Sequence, residues 1–212
     1  MGQNPIYRNQ RLQSKLAEMD ADVTAITDGS TVRTGAVKNS DNAGTVGAAT
    51  VTAVEYGDGT NHVTVLTLAS FIVGAPEASA NKAFGNKIYS FPEGVHLHEV
   101  SYFTLGLTQT GVTSDKPDIG VGSVKGTGSI AVLNDGTMED YITGQTWAVA
   151  LDGTAQIVGP VGAKAGILTG ISLSTAASVK DVFLNAADSW HASVTGNLVA
   201  SGTIVLIWKT MV

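Results

Sequence analysis

The chain has 212 residues, a formal net charge of −6, no cysteine and a charged fraction of only 14%. Without a basic stripe it lacks the electrostatics of a nucleic-acid binder, and without cysteine it has no disulfide, thiolate metal site or cysteine nucleophile. An apolar fraction of 43% argues against disorder along the whole length, and the low charge implies a surface covered by Thr, Ser, Asn and Gly or by other protein.

Residues 1–44 differ in composition from the rest of the chain. They are rich in Asn, Gln, Asp, Thr and Gly, with early positive charge from Arg8, Arg11 and Lys15. No apolar run succeeds Met1–Pro5, so no signal peptide is expected, and Ile6 stands where a myristoylation signal needs Ser or Thr. No apolar run approaches the roughly 20 residues that span a bilayer. Arg11–Met19 has Leu12, Leu16 and Met19 at helical spacing, but so short a helix is marginal alone. The segment is either a fraying terminus or an arm that orders against a neighbouring subunit. Fully extended, such an arm would reach about 100 Å. Tyr7, Arg8, Arg11, Leu12 and Leu16 are its candidate contacts.

Regular patterning begins near Val46 and defines a second region, 45–212. Ala49–Tyr56 alternates, with Val51, Ala53 and Glu55 against Thr50, Thr52, Val54 and Tyr56. Gly57-Asp58-Gly59 then signals a tight turn, and His62–Leu68 alternates again, so the two form a β-hairpin. Phe71, Ile72 and Val73 extend the second strand, and Gly74–Gly85 reads as a small-residue loop.

Lys87–Leu107 reads as two strands joined by Pro92-Glu93-Gly94, where Pro presets φ and Gly takes a positive φ without steric cost. In the second strand Val95, Leu97 and Glu99 are expected to point one way, and His96, His98 and Val100 the other. After a loop at 108–117, Asp118–Lys125 and Ser129–Leu133 are strand candidates. Thr146–Leu151 and Thr154–Val158, around Asp152-Gly153, read as a second hairpin. Ala165–Ser174 is a Gly-interrupted apolar stretch, and Val182–Asn185 and Ser193–Leu198 are short strand candidates. Thr203–Lys209 is apolar on both faces, as a buried strand is. Roughly eight to ten strands, with no convincing helix after residue 20, make an all-β sandwich or barrel.

Few residues suggest chemistry. His96 and His98 form an H-x-H pair of the type found in half of a metal site. A cupin would place a carboxylate four residues beyond His98, but Tyr102 stands there, and the only later histidine is His191. The pair is therefore expected to be two polar side chains on a solvent-facing or subunit-facing strand, with no metal. Gly126–Ala131 fits a loose G-x-G-x-x-A pattern but lacks the following helix that a dinucleotide site needs. Glu93, Glu99, Glu139 and Asp140 are candidate carboxylates for glycoside hydrolysis, although Glu139-Asp140 reads as an exposed connection. Trp147 and Trp208 fall in strong strand patterns and are expected in the core. Trp190 is the candidate exposed contact.

The segments VTAVEYGDGTNHVTVLTL, KIYSFPEGVHLHEVSYFTL and DIGVGSVKGTG resemble, in style and element order over residues 45–210, structural proteins of tailed bacteriophages of the jelly-roll cement or decoration type. That resemblance implies a jelly-roll-like antiparallel β-sandwich with an extended N-terminal arm. It further implies a non-enzymatic virion protein, made in the host cytoplasm and placed on the capsid surface. Its partners would be the major capsid protein and itself, as a homodimer or homotrimer, with no cofactor, nucleic acid or membrane. The alternative is a receptor- or glycan-binding module of a tail fibre or spike, with Trp190 as its stacking platform.

Overall fold

The computed structural model describes residues 44–57, 60–77, 82–109, 115–133, 136–147, 156–157, 161–165, 170–172, 180–191 and 196–211. At 156–157, 161–165, 170–172 and 211 only the backbone path is described. The arm residues Tyr7, Arg8, Arg11, Leu12 and Leu16, and the short helix expected over 11–19, lie outside the described residues.

The described chain is all β, with no helix among its residues. Twelve strands form two packed antiparallel sheets. The smaller sheet has the order β1 (Thr45–Val46), β4 (Ala83–Ser90), β11 (Asp181–Ala187), β6 (Asp118–Gly122), β7 (Ile142–Thr146). The larger runs β2 (Val51–Gly57), β3 (Asn61–Gly74), β12 (Leu198–Met211), β5 (Val95–Thr108), and β5 also pairs with the short strands β8 (Gln156–Ile157), β9 (Val161–Ala165) and β10 (Gly170–Ser172). The protein is a β-sandwich.

Alternation explains the core. Leu66, Leu68, Phe71 and Val73 of β3, Phe103, Leu105 and Leu107 of β5, and Ile204 and Leu206 of β12 are buried in one cluster. The same cluster holds Ile88 and Tyr89 of β4, Ile119 and Val121 of β6, and Val182 and Leu184 of β11. Each such side chain contributes about 1.5–3 kcal/mol through removal from water. Trp147 and Trp208 are buried with them as expected, Trp208 within β12 and Trp147 just beyond the end of β7.

The β2–β3 hairpin forms as expected, with Val54 opposite Val65 and Glu55 opposite Thr64. The Pro92–Gly94 turn also forms, and Gly94 has φ = 127°, a conformation that a Cβ would oppose. The both-faces-apolar segment Thr203–Lys209 is the middle of β12, which lies between β3 and β5.

Register shifts interrupt the strict period of two in both sheets, among them one in β5 and one in β3. In β5, Trp208 pairs with His98 but Ile207 pairs with Val100, so Glu99 is an extra residue. Val100 therefore turns to the side of Leu97 and Glu99, against the expected alternation. Ser101, Phe103 and Leu105 then take over the inward positions of His96 and His98. In β3, Leu68 opposes Gly202 and Phe71 opposes Ala200, so Ala69 and Ser70 together face Ser201. Ser70 holds φ = 54°, and its N–H donates to Ser201 Oγ at 3.0 Å.

Three further expectations are corrected. Ser129–Leu133 is not a strand. Its neighbourhood is pinned singly: buried Asn185 accepts from Gly126 N–H at 2.8 Å and donates to Val124 O at 2.9 Å, and Asp118 Oδ2 accepts from Leu133 N–H at 2.8 Å. The strand expected to begin at Thr146 instead ends there, Trp147 lies beyond it, and residues 148–155 of the expected second hairpin lie outside the described residues. Thr146 ends β7, opposite Asp118 in the smaller sheet, whereas Gln156–Ile157 pairs with β5 in the larger. The loop expected over Gly74–Gly85 is shorter, because β3 keeps Gly74 and β4 begins at Ala83.

Candidate functional site

Two places combine unusual chemistry with defined geometry: the inner end of the larger sheet, and the outer face of the same sheet.

At the inner end, four adjacent strands bring polar side chains into line. Glu55 comes from β2, His62 and Thr64 from β3, Trp208 and Thr210 from β12, and His96 from β5. Each falls on the inward side of its strand, with Trp208 opposite His62 and Thr210 opposite His96. His62 Nδ1 lies 3.1 Å from Glu55 Oε1, and Thr64 Oγ1 donates to Glu55 Oε2 at 2.6 Å. Trp208 Nε1–H donates to Thr64 Oγ1 at 2.8 Å. Thr210 Oγ1 lies 3.1 Å from His62 Nε2 and 3.3 Å from His96 Nδ1. His96 Nε2 reaches Pro92 O at 3.0 Å.

The acceptors determine the protons. Pro92 O only accepts, so His96 Nε2 carries hydrogen. His96 is 1 % exposed, and burial lowers its pKa, so it is neutral and its Nδ1 accepts. The Thr210 hydroxyl therefore donates to His96, and its oxygen accepts from His62 Nε2–H. Between Glu55 and His62 Nδ1 there must then be one more proton. Burial pushes the Glu55 pKa up to about 7, partly offset by the Thr64 hydrogen bond, which fits a carboxyl that keeps its proton near neutrality.

This placement overturns the expectation that His96 and His98 face solvent or a subunit. Both are buried; His98 Nε2 lies 2.5 Å from Ser101 Oγ, and its ring meets Tyr141 edge-on. Among the described residues no group of three His, Asp or Glu side chains is arranged to hold a metal ion. Trp190, expected as an exposed contact, is 3 % exposed. Its ring packs on Phe84, and its Nε1–H donates to Lys82 O at 2.7 Å. The signal for burial was the hydrogen-bond need of its indole, which an adjoining irregular backbone satisfies.

The carboxylates are also rearranged. Glu139, read as exposed, is buried and accepts from Gly144 N–H, while Asp140 stays exposed and accepts from Ser123. Burial, with Glu139 nearby, raises the Asp118 pKa to about 6. Glu99 forms an exposed ion pair with Lys209 at 2.6 Å.

The outer face of the larger sheet is built from transverse rows. Thr52, Thr67, Thr203 and Thr104 stand opposite one another across β2, β3, β12 and β5. Beside them run Val54, Val65, Val205 and Tyr102, and then Tyr56, Val63, Ile207 and Val100. Tyr102 is 40 % exposed. Among the described residues, the charged side chains along these rows are Glu99 and Lys209, paired at one end. The face is thus broad, β-branched and almost uncharged.

Comparison of the chain with protein-family models, with characterised proteins and with solved structures finds no match in any of the three.

Proposed function

We propose that this protein is a non-enzymatic virion structural protein. Specifically, it is a capsid cement or decoration protein that binds the outer surface of a tailed-phage head and clamps neighbouring major capsid proteins. The observation that carries the reading is the outer face of the larger sheet, where threonine and valine rows cross four strands and the charged side chains among the described residues lie at one end. Such a face suits repeated docking against neutral polar and apolar protein surface through its exposed members Thr52, Thr67, Thr104 and Tyr102, which surround the buried Val205. The resemblance of residues 45–210 to phage decoration proteins supplies the partner, the jelly-roll connectivity and the homo-oligomeric state. In this reading residues 1–44 form the arm that lies across the lattice, with Tyr7, Arg8, Arg11, Leu12 and Leu16 in contact. The glycan-binding alternative loses its platform with the burial of Trp190.

Co-sedimentation with capsids that lack the protein tests this. The purified chain is expected to pellet with them and not with free DNA, and Tyr102→Glu together with Val54→Glu is expected to abolish binding while the fold is retained. Absence of binding by the unaltered chain, or full binding by the folded double variant, overturns the proposal.

A further inference from the structure

The relay at the inner end of the larger sheet has a direction. From His62 onward every donor points toward the Pro92 turn: His62 Nε2–H to Thr210, the Thr210 hydroxyl to His96 Nδ1, and His96 Nε2–H to Pro92 O. The direction holds whether the extra proton sits on Glu55 or on His62, because His62 Nε2 donates in both cases.

We propose that Glu55, His62, Thr210 and His96 form a reversible proton-linked switch, in which loss of the single proton shared by Glu55 and His62 reverses the relay and removes the donor that holds the Pro92–Gly94 turn. Once that proton passes to bulk water, Glu55 is a carboxylate beside neutral His62. The stable tautomer then puts hydrogen on His62 Nδ1, facing the carboxylate, and leaves Nε2 as an acceptor. Thr210 must turn its hydroxyl toward His62. Its oxygen can then only accept from His96, so His96, like His62, moves its one hydrogen from Nε2 to Nδ1. Each ring stays neutral, and the only proton the relay loses is the one already passed to bulk water. His96 Nε2 now presents a lone pair to the Pro92 carbonyl at a separation of 3.0 Å, and two acceptors at that distance repel. A proton lost from the β2–β3 hairpin is thereby registered at the connection between β4 and β5.

The polar and charged groups around the relay have commitments of their own. Thr64 Oγ1 already accepts from Trp208 and donates to Glu55. Tyr89 of β4 lies close enough to feel the Glu55 charge, and its own hydroxyl oxygen accepts from Gly44 N–H at 2.8 Å. His98 of β5 is engaged by Ser101 and Tyr141. Phe91 and Trp208 wall His96 with their rings. Lys209 and Glu99 pair with each other on the exposed outer side of β12 and β5.

Nitrogen-15 NMR of the histidine rings in the full chain, from pH 5.5 to 8.5, tests the switch. His96 is expected to carry hydrogen on Nε2 at low pH and on Nδ1 at high pH, with a midpoint that coincides with the titration of the Glu55 carboxyl carbon. In Glu55→Gln the amide N–H takes the place of the shared proton, so His96 is expected to keep Nε2–H throughout. In Thr210→Val the wire is cut, and His96 is expected to stop following Glu55. A His96 tautomer in the unaltered protein that stays the same across the range overturns the proposal. So does a pH-driven swap that persists in folded Glu55→Gln or Thr210→Val.

Discussion

His62 lies flat on Trp208: their ring centroids are 3.9 Å apart and their planes are 8° from parallel. The two residues are register partners on β3 and β12, so the stack sits directly across a strand pair. Cross-strand aromatic contacts of this kind add to sheet stability beyond buried area. Here the stack also fixes the indole so that its N–H meets Thr64.

That geometry predicts a cost for removing the indole nitrogen while keeping an aromatic ring. Trp208→Phe is expected to destabilise by about 1–3 kcal/mol, from the lost hydrogen bond and the poorer fill of a buried site. Thr64→Val is expected to cost a similar amount, since it strips partners from both Trp208 Nε1 and Glu55 Oε2. Urea denaturation checks both as a lower midpoint at unchanged slope. An unchanged midpoint in Thr64→Val would show that the Glu55–Thr64–Trp208 chain contributes nothing to stability.

Stability is expected to depend on pH through Glu55 and Asp118. Burial raises both, to about 7 and about 6, above ordinary values of 4.5 and 3.8. The folded state therefore holds protons that the unfolded state has released, and stability falls as pH rises through each window. The Asp118 contribution is complete below about pH 3.8 and gone above about pH 6. The Glu55 contribution is complete below about pH 4.5 and gone above about pH 7. His96 acts oppositely: its pKa lies below its usual 6.5, so its contribution is present above 6.5 and is lost as pH falls. Asp118→Asn isolates one of these effects. Its stability relative to the unaltered chain should improve steadily from pH 4 to 6 and then level off in thermal melts. A difference that stays constant across that range would contradict the assignment.

The bulge at Glu99 makes a prediction about chain length. Deleting Glu99 leaves His98 opposite Trp208 and Val100 opposite Ile207, with no residue to spare. The deletion variant is expected to fold, losing the exposed Lys209 ion pair, worth about 0–1 kcal/mol, and some local twist. Deleting Tyr102, where β5 pairs with β12 in unbroken register, reverses the facing of one half of β5 and is expected to abolish folding. Circular dichroism of the two deletions distinguishes them; equal tolerance would mean that the register is not held by the inward pattern.

Much of the sandwich is legible in the sequence because the period of two is written plainly where one face is buried. The β2–β3 hairpin and the partition of Thr64, Leu66 and Leu68 from Val63, Val65 and Thr67 come directly from it. So does the burial of β12. The inward histidines are not legible. Their direction depends on one unpaired residue, Glu99, and a bulge leaves no composition signal. A strict alternation carried through it keeps His96 and His98 together but puts Val100 with them, and their polarity then suggests an exposed face. β7, Ile142–Thr146, escapes a reading by pattern because Thr143 and Gln145 dilute its apolar character and it lies at the sheet edge. Ser129–Leu133 is apolar enough for a strand, yet single hydrogen bonds to Asn185 and Asp118 hold its neighbourhood as irregular structure. The Glu55–His62–Thr210–His96 alignment joins residues from four strands, and no local spacing encodes it.

The position of β12 also sets an order of events during synthesis. Thr64 and Trp208, which meet across β3 and β12, are 144 residues apart in the chain. While the polypeptide emerges from the ribosome, β3 and β5 have no shared neighbour until residues 198–211 are out. Pairings of such separation close slowly. The rows of threonine and valine on the outer face span that gap, so the face comes into being only when β12 slots between its neighbours. A nascent or unfinished chain lacks this assembled face, and completion of the fold itself times when the face appears.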